Sequence, residues 1–270
     1  MSESDMLLSQ QPENIEEEYK IAQPCQSASS FFHFMDKIEY LIEMLNDKKI
    51  YPRFCVEDIS YLRLDIKQIG IAMKCFCNTP LHMIKDHKFE YGGYCIGFDK
   101  QWGVKKQLQP VIYYNEYSSY PSVLKMSYEA AMKYGEDDEL LTEISALLNH
   151  NFKYIKAVDG TDKKTGNFKD FTDENEWRYV PDIDDLDFGE IIVEQSVVSN
   201  TDILETYNDV LKKSKYHLDF QYEDIKYLFV KDEMGRKQLI EYLKTIDCSD
   251  EMRYKLMTKI CVWEEMEGDF

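Results

Sequence analysis

The chain has 270 residues, with 44% hydrophobic content and 51 acidic against 32 basic residues, for a formal net charge of −19. This charge opposes long-range attraction to nucleic acid and to anionic membranes, so we expect no direct nucleic-acid binding and no membrane association. No apolar stretch approaches the roughly 20 residues that cross a bilayer, and the polar, acidic start lacks the pattern of a signal peptide. We expect a cytoplasmic protein with a disordered tail over residues 1–27 and a single domain over residues 28–270.

The first half of the chain predicts short strands that alternate with short helices. An aromatic strand at Ser30–Phe34 precedes a helix capped by Asp36, whose apolar residues recur at helical spacing. The pattern then predicts an extended segment at Ile50–Cys55, a buried strand at Ile71–Cys77, a helix from Thr79-Pro80 to about Phe89, a turn at Gly92-Gly93, a strand at Tyr94–Phe98, a helical turn capped by Asp99 and a strand at Pro110–Asn115.

The second half predicts longer helices. A helical hairpin is expected as an insertion at about residues 118–158, with a break at Gly135–Asp138. After it the pattern predicts a polar loop at Asp159–Asp170, a strand at Glu176–Val180, an acidic loop at Asp182–Asp187, a helix at Thr201–Lys212, a strand at Asp224–Val230, and helices at Gly235–Ile246 and Asp250–Val262. The prediction is an α+β fold, with a mixed sheet of short strands, packed helices and the inserted hairpin.

Three cysteines and two histidines fall close together in the first half and raise the question of a metal site. Zinc is bound by cysteine and neutral histidine, but structural zinc sites use C-x2–4-C spacing, whereas Cys75 and Cys77 are separated by one residue. His82 and His87 are five residues apart, which on a helix does not point both rings the same way. We therefore expect no metal at Cys75, Cys77, His82, His87 and Cys95, and interpret the thiols as buried apolar groups of a reducing compartment.

The segment ENEWRYVP predicts a strand with a charged face. Glu174, Glu176 and Arg178 alternate and would share one face, while Trp177 and Tyr179 would face the core. The carboxylate–guanidinium row either binds a polar ligand or forms ion pairs across the sheet. Exposed ion pairs on a strand are the favoured interpretation.

A second ligand hypothesis rests on the order of three residue types. A histidine on an early strand, a tyrosine beside later aromatic strands and a glutamate on a late strand resemble the layout of ADP-ribosyltransferases. The resemblance implies NAD as cofactor, His33, Tyr94 and Glu176 as catalytic residues, and Tyr91, Glu174 and Arg178 as ligand-binding residues. The glutamate would stabilise oxocarbenium-like charge and the tyrosine would stack on a ring. Phe34-Met35 stands where those enzymes often carry threonine.

A closer resemblance extends over most of the chain, from about Phe31 to Phe270. Its motifs, in order, are FFHFM at Phe31–Met35, IYPRFCVED at Ile50–Asp58, the run Ile71–Tyr114, and ENEWRYVP at Glu174–Pro181. This series resembles the AbiGi family of antitoxins in abortive phage-resistance systems. The resemblance implies a role in bacterial phage defence beside a toxin partner, and supplies no catalytic residue.

The favoured hypothesis is therefore a cytoplasmic antitoxin that acts by binding its cognate toxin, without a cofactor. An NAD-dependent ADP-ribosyltransferase-like enzyme is the alternative, and a regulator of its own operon ranks third because the chain lacks a basic recognition helix. The common motifs of P-loop, dinucleotide-binding, metalloprotease and serine-hydrolase sites are missing. We expect the strands that carry His33, Cys75–Cys77, Tyr94 and Trp177 to be neighbours in one sheet.

Overall fold

The computed structural model describes residues 27–134, 139–162, 166–182 and 192–266. Its strands in chain order are β1 (Ser30–Met35), β2 (Lys49–Ile50), β3 (Arg53–Asp58), β4 (Gln68–Cys77), β5 (Tyr94–Asp99), β6 (Gln109–Pro110), β7 (Ile112–Tyr114), β8 (Ile155–Ala157), β9 (Asp159–Thr161), β10 (Phe168–Asp170), β11 (Glu176–Tyr179), β12 (Ile192–Val193), β13 (Leu218–Asp219), β14 (Ile225–Val230) and β15 (Ile260–Val262).

The helices lie between and after these strands. They are α1 (Ile38–Asp47), α2 (Lys85–Tyr91), α3 (Lys100–Lys105), α4 (Tyr120–Tyr134), α5 (Glu139–Phe152), α6 (Gln195–Val198), α7 (Thr201–Lys213), α8 (Glu233–Leu243), α9 (Asp250–Thr258) and α10 (Trp263–Met266). Within the described residues, no helix combines the length and the apolar character that a membrane crossing requires. The predicted α+β class is confirmed.

A mixed nine-stranded sheet is the centre of the fold, in the order β15-β14-β5-β1-β4-β11-β6, with β3 and β12 also pairing with β4. Most pairs are antiparallel, but β14 and β15 are parallel. The strands that carry Tyr94, His33, Cys75–Cys77 and Trp177 are β5, β1, β4 and β11, and they are consecutive in this order. The predicted adjacency of these strands is confirmed.

The central strand β4 is shared between two parts of the molecule. Its first half pairs with β3, in a register that runs from Asp58 opposite Gln68 to Arg53 opposite Met73, and with β12. Its second half pairs with β1 and β11. β4 reads QIGIAMKCFC and is mostly buried, as expected for a strand covered on both faces.

The two faces of the sheet are covered by different packing groups. The largest group surrounds Phe31, Phe98 and Trp102 and includes the apolar faces of α1 and α8. A second group on β4 and β3 is closed by α4 and α5, through Leu124 and Leu148. A smaller aromatic group surrounds Phe32 and contains Phe229 and Trp263. Alternate residues of β1, Phe31 and Phe32, thus enter different packing groups, as the pleat of a strand requires.

Two helix starts differ from the sequence prediction. Lys37, not Asp36, occupies the position before α1, and its side chain makes no capping bond. Thr79 does not cap a helix, because its buried hydroxyl donates to the Glu174 carbonyl oxygen. A short 3-10 turn at Leu81–Met83 follows, and α2 begins only at Lys85. The predicted Asp99 cap is confirmed, since its carboxylate accepts from the Gln101 amide.

Several strands were not predicted. The loop expected at Asp159–Asp170 contains the antiparallel pair β9 and β10. The helix expected at Asp250–Val262 ends at Thr258, and its last residues form β15, which pairs with β14 at the edge of the sheet. The helix prediction failed at these last residues because pairing with β14 outweighs local helical spacing.

Other sequence predictions fall on residues that the structure does not describe. The tail predicted at residues 1–27 lies outside the described residues except for Ser27, and so does the break at Gly135–Asp138 between α4 and α5. Of the acidic loop at Asp182–Asp187, Asp182 alone is among the described residues. The number of domains stays a prediction.

Candidate functional site

A cavity forms where β1 and β4 separate. β1 pairs with β5 along its whole length, but its register with β4 contains one pair, Phe32 opposite Cys77. Beyond that pair the ring of His33 lies between the strands, with Nδ1 3.0 Å from the Cys75 carbonyl oxygen. Phe32 and Phe34 lie on one face of β1 and His33 on the other, and all three line the cavity. The cavity therefore reaches into the gap between the strands.

The cavity has a volume of about 230 Å³. Its walls combine aromatic rings, thiols and charged groups from six regions of the chain. The lining residues are Phe32, His33, Phe34, Cys55, Glu57, Met73, Cys75, Phe76, Cys77, His87, Tyr91, Lys156, Glu174 and Glu176.

Glu176 is the centre of a buried ion-pair network at one wall. Its Oε1 accepts from Arg178 Nε at 2.8 Å, and its Oε2 accepts from Lys156 Nζ at 3.0 Å. Arg178 is completely buried and also donates to the Lys153 carbonyl oxygen, with Nη2 3.2 Å from Glu57 Oε2. Such a network is stable only when every buried charge has a partner. The guanidinium meets this condition, because Glu176, the Lys153 carbonyl oxygen and Glu57 contact its three nitrogens.

Lys156 connects this network to Glu174. Its Nζ is 2.5 Å from Glu174 Oε2. The other carboxylate oxygen, Oε1, accepts from the Tyr91 hydroxyl at 2.7 Å and lies 3.0 Å from Lys169 Nζ. Lys169 in turn pairs with Glu90. We call Glu57, Glu90, Glu174, Glu176, Lys156, Lys169 and Arg178 the ion-pair cluster.

Glu174, Glu176 and Lys156 have pKa values that are shifted toward their charged forms despite their burial. Burial opposes the charge on Glu176, but Arg178 and Lys156 outweigh it and hold the pKa of this carboxyl well below its usual range. Burial likewise opposes the charge on Glu174, and Lys156 lowers its pKa. The two glutamates raise the pKa of Lys156 well above its ordinary value, although burial acts in the opposite direction. Burial and the Glu174 carboxylate raise the pKa of Tyr91, which stays protonated as a donor.

His33 is neutral and has a defined tautomer. Burial and, to a lesser extent, Lys74 lower its pKa well below 6.5, against the weaker opposite effect of the Cys75 carbonyl. A carbonyl oxygen only accepts, so Nδ1 carries the proton and Nε2 is left as an acceptor. The ring therefore has an uncharged acceptor, the lone pair of Nε2.

Two thiols in the cavity differ in acidity. A hydrogen bond from Cys75 lowers the pKa of Cys55 despite its burial, whereas that bond and burial raise the pKa of Cys75. Burial raises the pKa of Cys77 to about 12. His82 is exposed, and within the described residues no group of three or more histidines, cysteines or acidic residues is arranged to hold a metal ion.

The structure brings together five of the six residues selected from the sequence. His33, Tyr91, Glu174 and Glu176 line the cavity, and Arg178 supports its wall from behind. Tyr94 does not line it. Tyr94 lies opposite Met35 at the start of β5 and packs against the largest core group.

The predicted charged strand face is partly wrong. Glu174 belongs to a 3-10 turn at Phe171–Glu174, and β11 begins only at Glu176. The ion pairs of Glu174, Glu176 and Arg178 are buried, not exposed as expected. Trp177 and Tyr179 pack against the core from the other face, as predicted.

Sequence analysis missed Lys156 and Glu57, which lie on β8 and β3. Lys156 stands between the apolar residues Ile155 and Ala157 on the short strand β8. A charged residue inside a short apolar strand is the signal that could have selected Lys156, since buried charges require partners. Glu57 lies next to Asp58 at the end of the partly exposed strand β3 and has no such signal.

Comparison with known proteins agrees on one family. The family model described as abortive phage resistance protein AbiGi, antitoxin, matches residues 48–231. The abortive phage resistance protein AbiGi of Lactococcus lactis subsp. cremoris is 32% identical over 255 residues, which cover 81% of this chain and 98% of the relative. No solved structure matches the chain.

The family match includes most of the cavity. Glu57, Tyr91, Lys156 and Glu176 lie inside the matched residues 48–231, and His33 precedes them. The match to the Lactococcus protein extends over a larger share of the chain. Both comparisons lead to the same conclusion: the chain belongs to the AbiGi family of abortive phage resistance proteins.

Proposed function

We propose that the protein is the antitoxin of a phage-defence pair and acts by binding a partner toxin protein. Its family accounts for the role in phage defence, and the description of the family model includes the word antitoxin. One observation supports protein binding over catalysis. Both carboxylate oxygens of Glu176 already accept hydrogen bonds, one from Arg178 and one from Lys156. A carboxylate with a strongly lowered pKa and two fixed cations is a poor proton acceptor at neutral pH.

The hairpin of α4 and α5 offers a surface for the partner. Tyr120, Val123 and Met126 follow one another at three-residue spacing on α4, and Val123 and Met126 are 57% and 70% exposed. We call these three residues the apolar stripe. Exposed apolar groups that are contiguous mark protein–protein contacts more often than isolated ones do. The charge of −19 favours a partner with a basic face.

Co-expression with the protein encoded by the adjacent gene tests this proposal. We expect the wild-type chain to relieve the neighbour's toxicity and to co-purify with it. The double variant Val123→Glu, Met126→Glu should lose most of both effects, because it places charge on the apolar stripe. Met234→Glu, at a 76% exposed apolar residue on α8, is the matched control and should behave as wild type. Unchanged toxicity with the wild-type chain would refute the proposal.

An ADP-ribosyltransferase-like enzyme is the second candidate, favoured by one observation. His33, Tyr91 and Glu176 line the same cavity, and these are the residue types that the NAD hypothesis requires. Labelled NAD with nucleic acid and cell lysate as acceptors tests it. For an enzyme we expect transfer by the wild type, loss of transfer in a His33→Ala, Glu176→Ala variant, and loss of transfer in Tyr91→Ala but not in Tyr91→Phe, which keeps the stacking ring. Equal signal from all of these proteins would refute the site.

A further inference from the structure

The ion-pair cluster leaves the cavity with excess negative charge. Four carboxylates face three cations among its members, since Glu57, Glu90, Glu174 and Glu176 outnumber Lys156, Lys169 and Arg178. The groups that line the cavity itself are three carboxylates and one ammonium group, that of Lys156. An anionic ligand would meet repulsion here, and a cationic one would not.

One carboxylate of the wall has unused hydrogen-bonding capacity. Glu57 Oε2 lies 3.2 Å from Arg178 Nη2, and among the described residues no group donates to its Oε1. The side chain is 16% exposed at the cavity. His33 adds a second acceptor, Nε2, because Nδ1 is held by the Cys75 carbonyl. The cavity thus presents acceptors that a ligand with N–H groups can use.

Four aromatic rings belong to the remaining wall of the cavity. Phe32, Phe34, Phe76 and Tyr91 all line the cavity. Aromatic faces attract cations, and the planar guanidinium group of arginine also stacks on them while donating N–H bonds at its edges. An ammonium group, by contrast, is a compact and strongly hydrated charge.

The size of the cavity limits the ligand. Sites for drug-sized ligands enclose roughly 300–1,000 Å³, and this cavity encloses about 230 Å³. It therefore suits one side chain or a group of similar size, and it is too small to enclose a dinucleotide.

We propose that the cavity binds the guanidinium group of an arginine side chain presented by the partner protein, between the aromatic rings and against Glu57. This inference rests on the proposed partner-binding function and adds the chemistry of the anchoring residue. The acidic chain and the excess negative charge of the cavity both favour a basic anchor. Buried arginines at the centre of an interface often dominate its affinity.

A probe titration tests the cavity without the partner. The probes are N-acetyl-arginine amide and its neutral isostere N-acetyl-citrulline amide, measured by calorimetry on the purified chain. We expect the arginine probe to bind about tenfold or more tightly than the citrulline probe, because charge attraction is lost with citrulline. Equal affinity for the two probes, or binding of neither, would overturn the inference.

Substitutions in the wall of the cavity test where the arginine probe binds. Glu57→Gln should weaken the arginine probe roughly fivefold by removing the wall's charge, and Glu205→Gln, at an exposed glutamate that pairs with Arg53, should leave binding unchanged. Phe34→Leu provides a second test that keeps the ion-pair cluster intact, and it should weaken binding through the lost ring. Wild-type affinity in both cavity variants would place the probe elsewhere and contradict the inference.

The complex with the neighbouring gene product separates the two proposals. We expect excess arginine probe, but not citrulline probe, to dissociate the complex, and Phe34→Leu to weaken it. A complex that forms but resists both changes would overturn the arginine anchor and leave the antitoxin proposal standing. If the probe binds in that case, the occupant is a free small cation. Absence of any complex would refute the antitoxin proposal. The probe titration would still test ligand binding in the cavity, because it does not need the partner.

Discussion

Arg178 shows how a single buried charge depends on its partners. Its guanidinium is inaccessible to solvent and contacts Glu176, Glu57 and the Lys153 carbonyl oxygen. Arg178→Met would leave two carboxylates in the interior without their strongest counter-charge. We expect a loss of about 3 to 5 kcal/mol in the free energy of unfolding, measured by urea denaturation.

Arg53→Met is the matched comparison for this loss. Arg53 pairs with Glu205 at the surface, where both side chains are more than half exposed. Its removal should change the free energy of unfolding by less than about 1 kcal/mol. Similar losses in the two variants would show that the ion-pair cluster is hydrated and not a buried network.

His33 should make stability depend on pH near neutrality. Burial lowers its folded pKa well below 6.5, so the unfolded chain binds the proton first as the pH falls. The contribution of neutral His33 to the free energy of unfolding is fully present above pH 6.5. It is lost as the pH falls from 6.5 toward the folded pKa. The slope for one such group is at most about 1.4 kcal/mol per pH unit.

Denaturation midpoints between pH 8 and 5.5 in His33→Gln measure this effect. Glutamine does not titrate and its amide can still donate to the Cys75 carbonyl oxygen, so we expect a shallower pH dependence than in wild type. His82→Gln, at an exposed histidine, should keep the wild-type slope. A slope that is unchanged in His33→Gln would assign the proton uptake to another group.

Residue types identified part of the cavity, but not Lys156, the cation in its lining. His33, Tyr91 and Glu176 were selectable because their chemistry recurs in known sites. Lys156 was not selected, because its partners Glu174 and Glu176 lie about twenty residues further along the chain, and the residues around Lys156 do not identify them. Tyr94 does not line the cavity, because its strand β5 pairs with one edge of β1 and the cavity lies at the other edge, toward β4.

At the level of elements, the turn between α2 and β5 depends on Gly92. Its φ of 113° lies in a region that is nearly restricted to glycine, and a methyl group there would overlap the Met35 carbonyl oxygen. Gly92→Ala combines backbone strain with overpacking, so we expect it to cost about 2 to 6 kcal/mol in the free energy of unfolding.

Gly166→Ala separates the two contributions in the same urea experiment. Gly166 also has a positive φ, of 71°, but nothing lies within 4 Å of the added methyl group. Its cost should stay at about 1 to 2 kcal/mol. An equal loss in the free energy of unfolding at both glycines would mean that the backbone at Met35 moves away from the added methyl group without cost.

Elements with strong local signals were predictable, and short strands that form by pairing with a partner strand were not. The apolar run of β4 and the capped turn after Asp99 follow from residues within a few positions of each other. β15 exists because Ile260–Val262 pairs with β14, and β9 exists because it pairs with β10. Short strands of this kind take their conformation from their partner, which a single sequence does not display.

For the whole molecule, the charge of −19 predicts an unusual response to salt. Repulsion between surface carboxylates destabilises the compact state, and salt shortens its range from about 30 Å at 0.01 M to about 8 Å at 0.15 M. We expect the melting temperature at pH 7.5 to rise with sodium chloride over this range. Near pH 5, close to the isoelectric point of about 4.7, the rise should be much smaller. A melting temperature that falls with salt at pH 7.5 would contradict this account.

The route from α5 into β8 has a mechanical consequence. α5 ends at Phe152, Lys153 follows with the carbonyl that Arg178 holds, and Lys156 enters the cavity three residues later. Three residues therefore connect the end of the hairpin at Lys153 to Lys156, which contacts Glu174 and Glu176. We therefore expect docking of a partner on the apolar stripe and filling of the cavity to be linked equilibria, in which each alters the other's affinity by the same factor.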